Sequence, residues 1–365
     1  GPYCLGIFQE SDAAVTDVLT DVALGFIAFS IGGEFRISNI KQIGTSSITI
    51  TFFQACLATL LVDAALLACS FPAPLSLTLG AIADATAPAA TLMVVRQYHA
   101  KGEVTSTLLP VVAMDDAVGL MLFSIFLPIS QALASNATLT VTSMLLQPLL
   151  EIVLSLAVGA GIGLLIALAM RFFHSKVNRI SVAVAAVLLG SALASIWNLS
   201  SLLLCMAIGA VLVNLRNDAD ELLEITDAWT PPLFMLFFVL SGAELDLAVV
   251  PTVGLLGVVY MVARSLGKYF GSFLGATIAK SSPNIRKYLG LTLLPQAGVA
   301  IGMAQVALNA LPEYGTQIKA VVLAATLIYE LIGPVITKLA LTAAGEIQDS
   351  KKSKAKTEQS AGGAK

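Results

Sequence analysis

Residues 108–124 read LLPVVAMDDAVGLMLFS. Asp115 and Asp116 stand side by side, and the residues around them are apolar or small. The rest of the chain decides what that means. Of 365 residues, 57% are hydrophobic and 12% charged, and the mean hydropathy is +0.88. A soluble domain carries about 25% charged residues. So much apolar surface exceeds what a soluble core absorbs, so the chain is expected to be an all-α polytopic membrane protein built as one bundle. There each aspartate costs roughly 2.5–3.5 kcal/mol near the bilayer centre. A pair retained only for packing specificity is disfavoured, because one hydrogen-bonded Asn would cost less. The pair is therefore expected to serve a polar site.

Apolar runs and polar breaks give eleven expected membrane segments: 17–35, 45–70, 74–95, 105–133, 143–170, 180–196, 199–215, 229–243, 249–279, 286–309 and 316–343. The short pair around Trp197 also reads as one long bent element. Basic residues fall in alternate loops. Arg36 and Lys41 follow the first segment, Arg96 and Lys101 the third, and Arg171, Lys176 and Arg179 the fifth. Arg216 follows the seventh in an otherwise acidic loop, and Lys280, Arg286 and Lys287 follow the ninth. The loops between them, SFPAP, WNLS and AELDLAVVP, carry no basic residue, and only Lys319 stands beyond the tenth segment. By the positive-inside rule the N-terminal end lies outside and the C-terminal tail inside. Residues 1–345 are read as the membrane domain. Residues 346–365, with five lysines among small and polar residues, are read as a disordered cytoplasmic tail.

Several functions are excluded at this point. Cys4, Cys56, Cys69 and Cys205 show no metal spacing and read as core thiols. His99 and His174 fall in polar loops, so no His-based metal or catalytic cluster is expected. Residues 1–15 lack the basic start of a signal peptide. The pattern Asn136–Thr138 carries no weight.

The chain echoes itself. The first segment ends FSIGGEFRI (29–37) and the eighth ends VLSGAELDL (239–247). Each is followed by a long apolar segment and then by one interrupted at its middle: ADATAPAAT (83–91) and LLPQAGVAIG (293–302). Glu34 precedes Pro88 by 54 residues, and Glu244 precedes Pro295 by 51. The copies start seven segments apart, an odd number, so they run oppositely through the bilayer. Such an inverted-topology repeat marks secondary transporters. Core elements are then expected at 17–133 and 229–343, with 143–215 on the linking and dimerisation side. Asp84, Thr86, Ala87 and Pro88 mark one broken helix, and Pro295, Gln296 and Gly298 the other. Mid-membrane breaks are tolerated where the freed backbone lines a cavity or meets other protein, and in an inverted repeat two can meet near the midplane. Glu34 and Glu244 read as caps at opposite faces.

Neighbours on a helix point about 100° apart, so one aspartate can face a cavity while the other meets a cation. The ninth segment, GVVYMVARSLGKYFGSFLGA (257–276), offers Arg264 and Lys268 on one face. Lys268 lies eleven residues from the inner loop, about 17 Å, near the middle of a bilayer core of about 30 Å. Pairing with the aspartates is expected over snorkelling, with either residue as the partner. Carboxylates and a threonine hydroxyl such as Thr86 suit a dehydrated Na⁺ or Li⁺. A buried carboxyl can hold a proton in place of the ion, because burial disfavours its charged form. Competition for one position is enough for antiport, provided the empty anionic site does not cross the membrane.

These residues resemble the cation/proton antiporter superfamily, in particular its NapA-type Na⁺/H⁺ antiporters. The likeness rests on DATAPAATLMVVRQYHAKG (84–102), LLPVVAMDDAVG (108–119), ARSLGKYFG (263–271) and LLPQAGVAIG (293–302), in that order over essentially the whole chain. It implies an NhaA/NapA-like fold with two broken, crossing helices, preceded in the family by helices this sequence does not include. It implies that Asp116 carries cation and proton, and that Asp115 pairs with a basic residue of the ninth segment. Members work without a cofactor, usually as homodimers; a bacterial inner membrane and no nucleic-acid partner are expected. Two aspartates favour electrogenic exchange. The alternatives are K⁺/H⁺ exchange or Kef-like potassium efflux by the same fold, an organic-anion symporter, and an intramembrane aspartyl protease. The protease would need its aspartates on two helices sharing a proton, and no G-x-G-D occurs.

Overall fold

In a computed structural model, residues 13–33, 35–38, 44–135, 147–173, 175–197, 199–216, 218–243 and 254–347 are described. They form fourteen helices and no strand. In chain order these are α1 (Ala13–Gly33), α2 (Gly44–Ala68), α3 (Ala73–Ile82), α4 (Pro88–Gln97), α5 (Glu103–Ala134), α6 (Gln147–Ala169) and α7 (Lys176–Trp197). There follow α8 (Ser201–Leu215), α9 (Ala219–Trp229), α10 (Pro231–Ala243), α11 (Gly254–Ile278), α12 (Pro283–Thr292), α13 (Gly298–Ala310) and α14 (Gly315–Ala343). Each of the eleven expected segments finds its helix, and the third and tenth are each split in two. The pair around Trp197 is two separate helices, α7 and α8, packed together.

One helix was not expected. The acidic loop after Arg216 contains α9, with Ala219, Leu222 and Thr226 buried. Spacings of three and four residues put them on one face. Glu34, Glu244, Cys4, His174 and Asn136–Thr138 lie outside the described residues.

Both breaks have local causes. Pro88 opens α4; it has no N–H to give a preceding turn, and it holds Ala87 extended at φ −81°, ψ 105°. Pro295 interrupts the path from α12 to α13 in the same way, leaving residues 293–297 outside both helices. The breaks meet: Ala87 N–H donates to Pro295 O at 2.9 Å, and Thr91 Oγ1 donates to Thr292 O at 3.3 Å.

The repeat-related helices α2 and α11 pack closely along their lengths. A Cβ added at Gly271 would stand 2.6 Å from Gln54 Cα, and one at Gly275 2.8 Å from Ile50 Cα. With Gly267, these glycines let two backbones touch where hydrophobic drive is absent. The helix α1 packs chiefly along α8, beside α7 and α10. The helix α1 thus sits beside helices of 143–215, and α10 packs on α1. The sequence echo finds repeats but not which face a helix turns to which neighbour.

Contacts gather the basic loops at one end. Arg36 pairs with Asp220, and Arg179 lies 2.7 Å from both Asp218 and Glu221. Ser46 meets Ser281 at 2.8 Å. The bond from Arg216, at 2.8 Å, holds the Asp218 carboxyl below its ordinary range. At this end Glu346 accepts from Val104 N–H at 2.6 Å, and from Thr105 N–H and Oγ1 at 2.8 and 2.7 Å. The start of α5 has no side-chain cap of its own at Gly102. Glu346 and Ile347, read as the beginning of a disordered tail, therefore belong to the fold: the carboxylate satisfies orphan helix donors.

Candidate ion-binding site

Three side chains that composition alone would keep in water meet inside the bundle. Asp84 follows α3, Asp115 lies midway along α5, and Lys268 lies midway along α11; none has exposed surface. Lys268 Nζ donates to Asp115 Oδ2 at 2.8 Å, to Thr86 Oγ1 at 2.8 Å and to Asp84 Oδ1 at 3.0 Å. Those are all the donors an ammonium has. Of the two candidate partners for the aspartates, Lys268 is the one that makes the contact.

Arg264 does something else. Its Nε donates to Ala83 O at 2.8 Å, one terminal nitrogen to Ala85 O at 2.8 Å, and the other to Leu294 O at 2.7 Å. Its guanidinium also lies 4.5 Å from the centre of the Tyr329 ring. Arg264, the other of the two candidate partners, thus bonds backbone carbonyls. Its planar fork satisfies carbonyls freed by both breaks and fastens them to each other. Gln296 assists, donating to Ile82 O at 3.3 Å and to Tyr260 at 2.9 Å.

Asp116 stands apart from this network. Its Oδ1 is buried and has no hydrogen-bond partner. The residue retains 6% exposure and lines a cavity of about 440 Å³. Thr91, Leu108 and Val112 wall it on one side, and Ser30, Arg36 and Asp227 on the other. It therefore runs between the broken-helix group and the α1–α9 side, and reaches the end where the basic loops lie. The two aspartates divide as adjacent helical positions must. Thr86 accepts from Lys268, and the hydroxyl-bearing residues that line the cavity are Thr91 and Ser30. Ala87 and Pro295 make the crossing bond, and Pro88 and Gly298 start the second halves of their helices.

Sequence reasoning passed over Gln54 on α2, which donates to Asp84 Oδ1 at 3.1 Å and to Asp115 Oδ1. A lone amide amid ITFFQACLATLLV was the available signal, since a polar side chain in a membrane segment needs a partner. It also passed over Asp227 at the cavity wall, whose Oδ1 accepts from Ser30 Oγ at 2.5 Å.

The family of sodium/hydrogen exchangers, in their transmembrane region, matches residues 1–343. The chain belongs to that family. Among solved structures, it resembles the sodium proton antiporter MjNhaP1 from Methanocaldococcus jannaschii, with a TM-score of 0.67 over 92% of this chain and 89% of that one. At 20% identity that likeness speaks for the fold alone: the NhaA-like arrangement of an all-helical membrane antiporter. None of the curated proteins compared with the chain matches it. Membership of a cation/proton exchanger family makes the chain a transporter of ions across a membrane. Among the described residues, five helices are long and apolar enough to span one.

Proposed function

We propose that this exchanger is a secondary antiporter that moves Na⁺ or Li⁺ against protons by alternating access. Cation and proton compete for Asp116. The observation that carries this is the isolation of that carboxylate: buried, unpartnered at Oδ1 and facing a cavity, one residue from an aspartate whose partner is a lysine. A hard monovalent cation suits such an oxygen, and a proton neutralises it equally well. Lys268 and Asp115 form the buried ion pair, and Asp84 shares the lysine. Two carboxylates on one ammonium, with Asp116 as a third acid beside them, favour electrogenic exchange, since proton number and ion charge need not balance. Movement of α2–α5 and α11–α14 against the remaining helices would carry Asp116 from one side to the other. A homodimer in a bacterial inner membrane, with the basic end cytoplasmic, is the setting that the loop charges and the family support.

The test is dye-monitored internal pH in proteoliposomes on addition of Na⁺, Li⁺ or K⁺, with and without a potassium–valinomycin voltage clamp. Sodium- or lithium-driven proton flux that responds to voltage is expected. Flux with K⁺ alone would move the reading to K⁺/H⁺ exchange, and folded protein giving no flux with any ion would overturn it.

A further inference from the structure

Gln54 lies midway along α2 with no exposed surface. A primary amide has two N–H donors, and both are directed at carboxylates, Asp84 Oδ1 at 3.1 Å and Asp115 Oδ1. Lys268 donates to the same two residues, at Asp84 Oδ1 and Asp115 Oδ2. Asp115 thereby has a donor on each oxygen, one charged and one neutral. Asp116, its neighbour, has an oxygen with no donor. The reverse orientation of the amide would set its oxygen against two carboxylates, so the surroundings decide which end donates.

The placement is built into the scaffold. The Gln54 backbone is pinned where Gly271 approaches it, three residues along α11 from Lys268. The two donors thus come from the touching pair of repeat-related helices. A second cation in Gln54's place would hold Asp115 as well, but it would repel an arriving ion. A neutral amide supplies directed donors without that repulsion.

We propose that Gln54 is a positioning residue of the transport site: its amide holds Asp115 on Lys268 and beside Asp84, leaving Asp116 as the carboxylate free to exchange ion and proton. This rests on the antiporter reading above. A side chain present only to fill space would be replaced by leucine without change in how the site titrates.

The experiment compares the pH profile of sodium-driven proton flux in wild type and Gln54→Leu. Gln54→Leu removes a donor from the carboxylate beside Asp116, and Asp116 titrates in the field of that neighbour. The half-maximal pH is therefore expected to shift by about one unit, the roughly tenfold effect of one charge-assisted hydrogen bond. Gln54→Glu, which replaces donors by acceptors, should move it further. An unmoved profile in Gln54→Leu overturns the proposal. Should that variant fail to fold, Gln54→Met, unbranched and of similar volume, carries the same comparison.

If wild type shows no cation-driven flux, the antiporter reading fails by itself. The positioning role is then read from melting temperatures between about pH 5 and about pH 9. Gln54→Leu should cost more stability at the high end, where carboxylates are ionised, and that pH dependence should shrink in an Asp115→Asn background. An equal cost at every pH, or the same pH dependence without Asp115, would overturn it.

Discussion

In the first break, residues 83–87, Asp84 and Thr86 turn to the Lys268 ammonium. In the second, residues 293–297, Gln296 meets a tyrosine and a backbone carbonyl. The backbones are alike in outline: each has a proline, a short non-helical stretch and a new helix. Arg264 binds carbonyls of both. The charges are not alike. Lys268 and its carboxylate partners collect on one side of the crossing, and Asp116 faces one cavity. The repeat therefore supplies a symmetric frame, and single side chains make the chemistry asymmetric. Substitutions that touch frame and chemistry separately should give different phenotypes.

The largest effect is expected on the chemical side. Asp116→Asn should lower exchange by roughly a hundredfold or more while the protein stays monodisperse, because a contact to a full charge is worth up to about 3 kcal/mol. Proteoliposome flux beside size-exclusion profiles decides it, and retained exchange would remove Asp116 from the site.

Arg264 and Lys268 then separate frame from chemistry. Arg264→Gln leaves buried carbonyls short of donors, each at about 1–3 kcal/mol, so its melting temperature should fall more than that of Lys268→Gln. Lys268→Gln should lose more transport and its voltage response. Equal profiles in both assays would break the distinction between the two basic residues.

Gly275→Val tests the contact between repeat-related helices away from the charges, where an added Cβ would stand 2.8 Å from Ile50 Cα. Overpacking there should cost about 1–3 kcal/mol, seen in melting. Glu346→Ala should cost about 1 kcal/mol, the usual value of a helix cap.

The smallest effect is at Asp218. Its carboxyl is held below the ordinary range by Arg216, so its contribution is complete above the ordinary carboxylate range and fades as pH falls through the lowered value. Asp218→Asn should lower stability slightly at neutral pH and leave it nearly unchanged in acid, below the lowered value, which flattens the acid limb of the stability curve. A destabilisation of equal size at neutral and acid pH would contradict that.

Hydropathy and proline placement made the segments and both breaks legible, because a bilayer penalises unsatisfied backbone wherever a helix stops. The cost of intramembrane charge singled out Asp115, Asp116 and Lys268. What stayed hidden depends on contacts between distant helices. Arg264 and Lys268 share a face and looked interchangeable; only the position of Ala83, Ala85 and Leu294 tells which binds backbone. Gln54 carries no charge, so nothing in its own segment pointed to two carboxylates. The helix α9 was masked by its acidity, since Asp220 and Glu221 suggest a solvated loop until the buried face of Leu222 and Thr226 is seen. The choice of α8 as neighbour for α1 follows surface shape, which a hydropathy profile does not contain.

The central claim is competition between cation and proton at Asp116. Its most direct test is the apparent KM for Na⁺ in proteoliposomes across pH, at saturating rates. Competition predicts that KM rises by about tenfold for each unit of acidification below the midpoint, with the maximal rate constant. A KM that holds steady while the maximal rate falls would show that proton and cation bind at separate places, and would contradict the account.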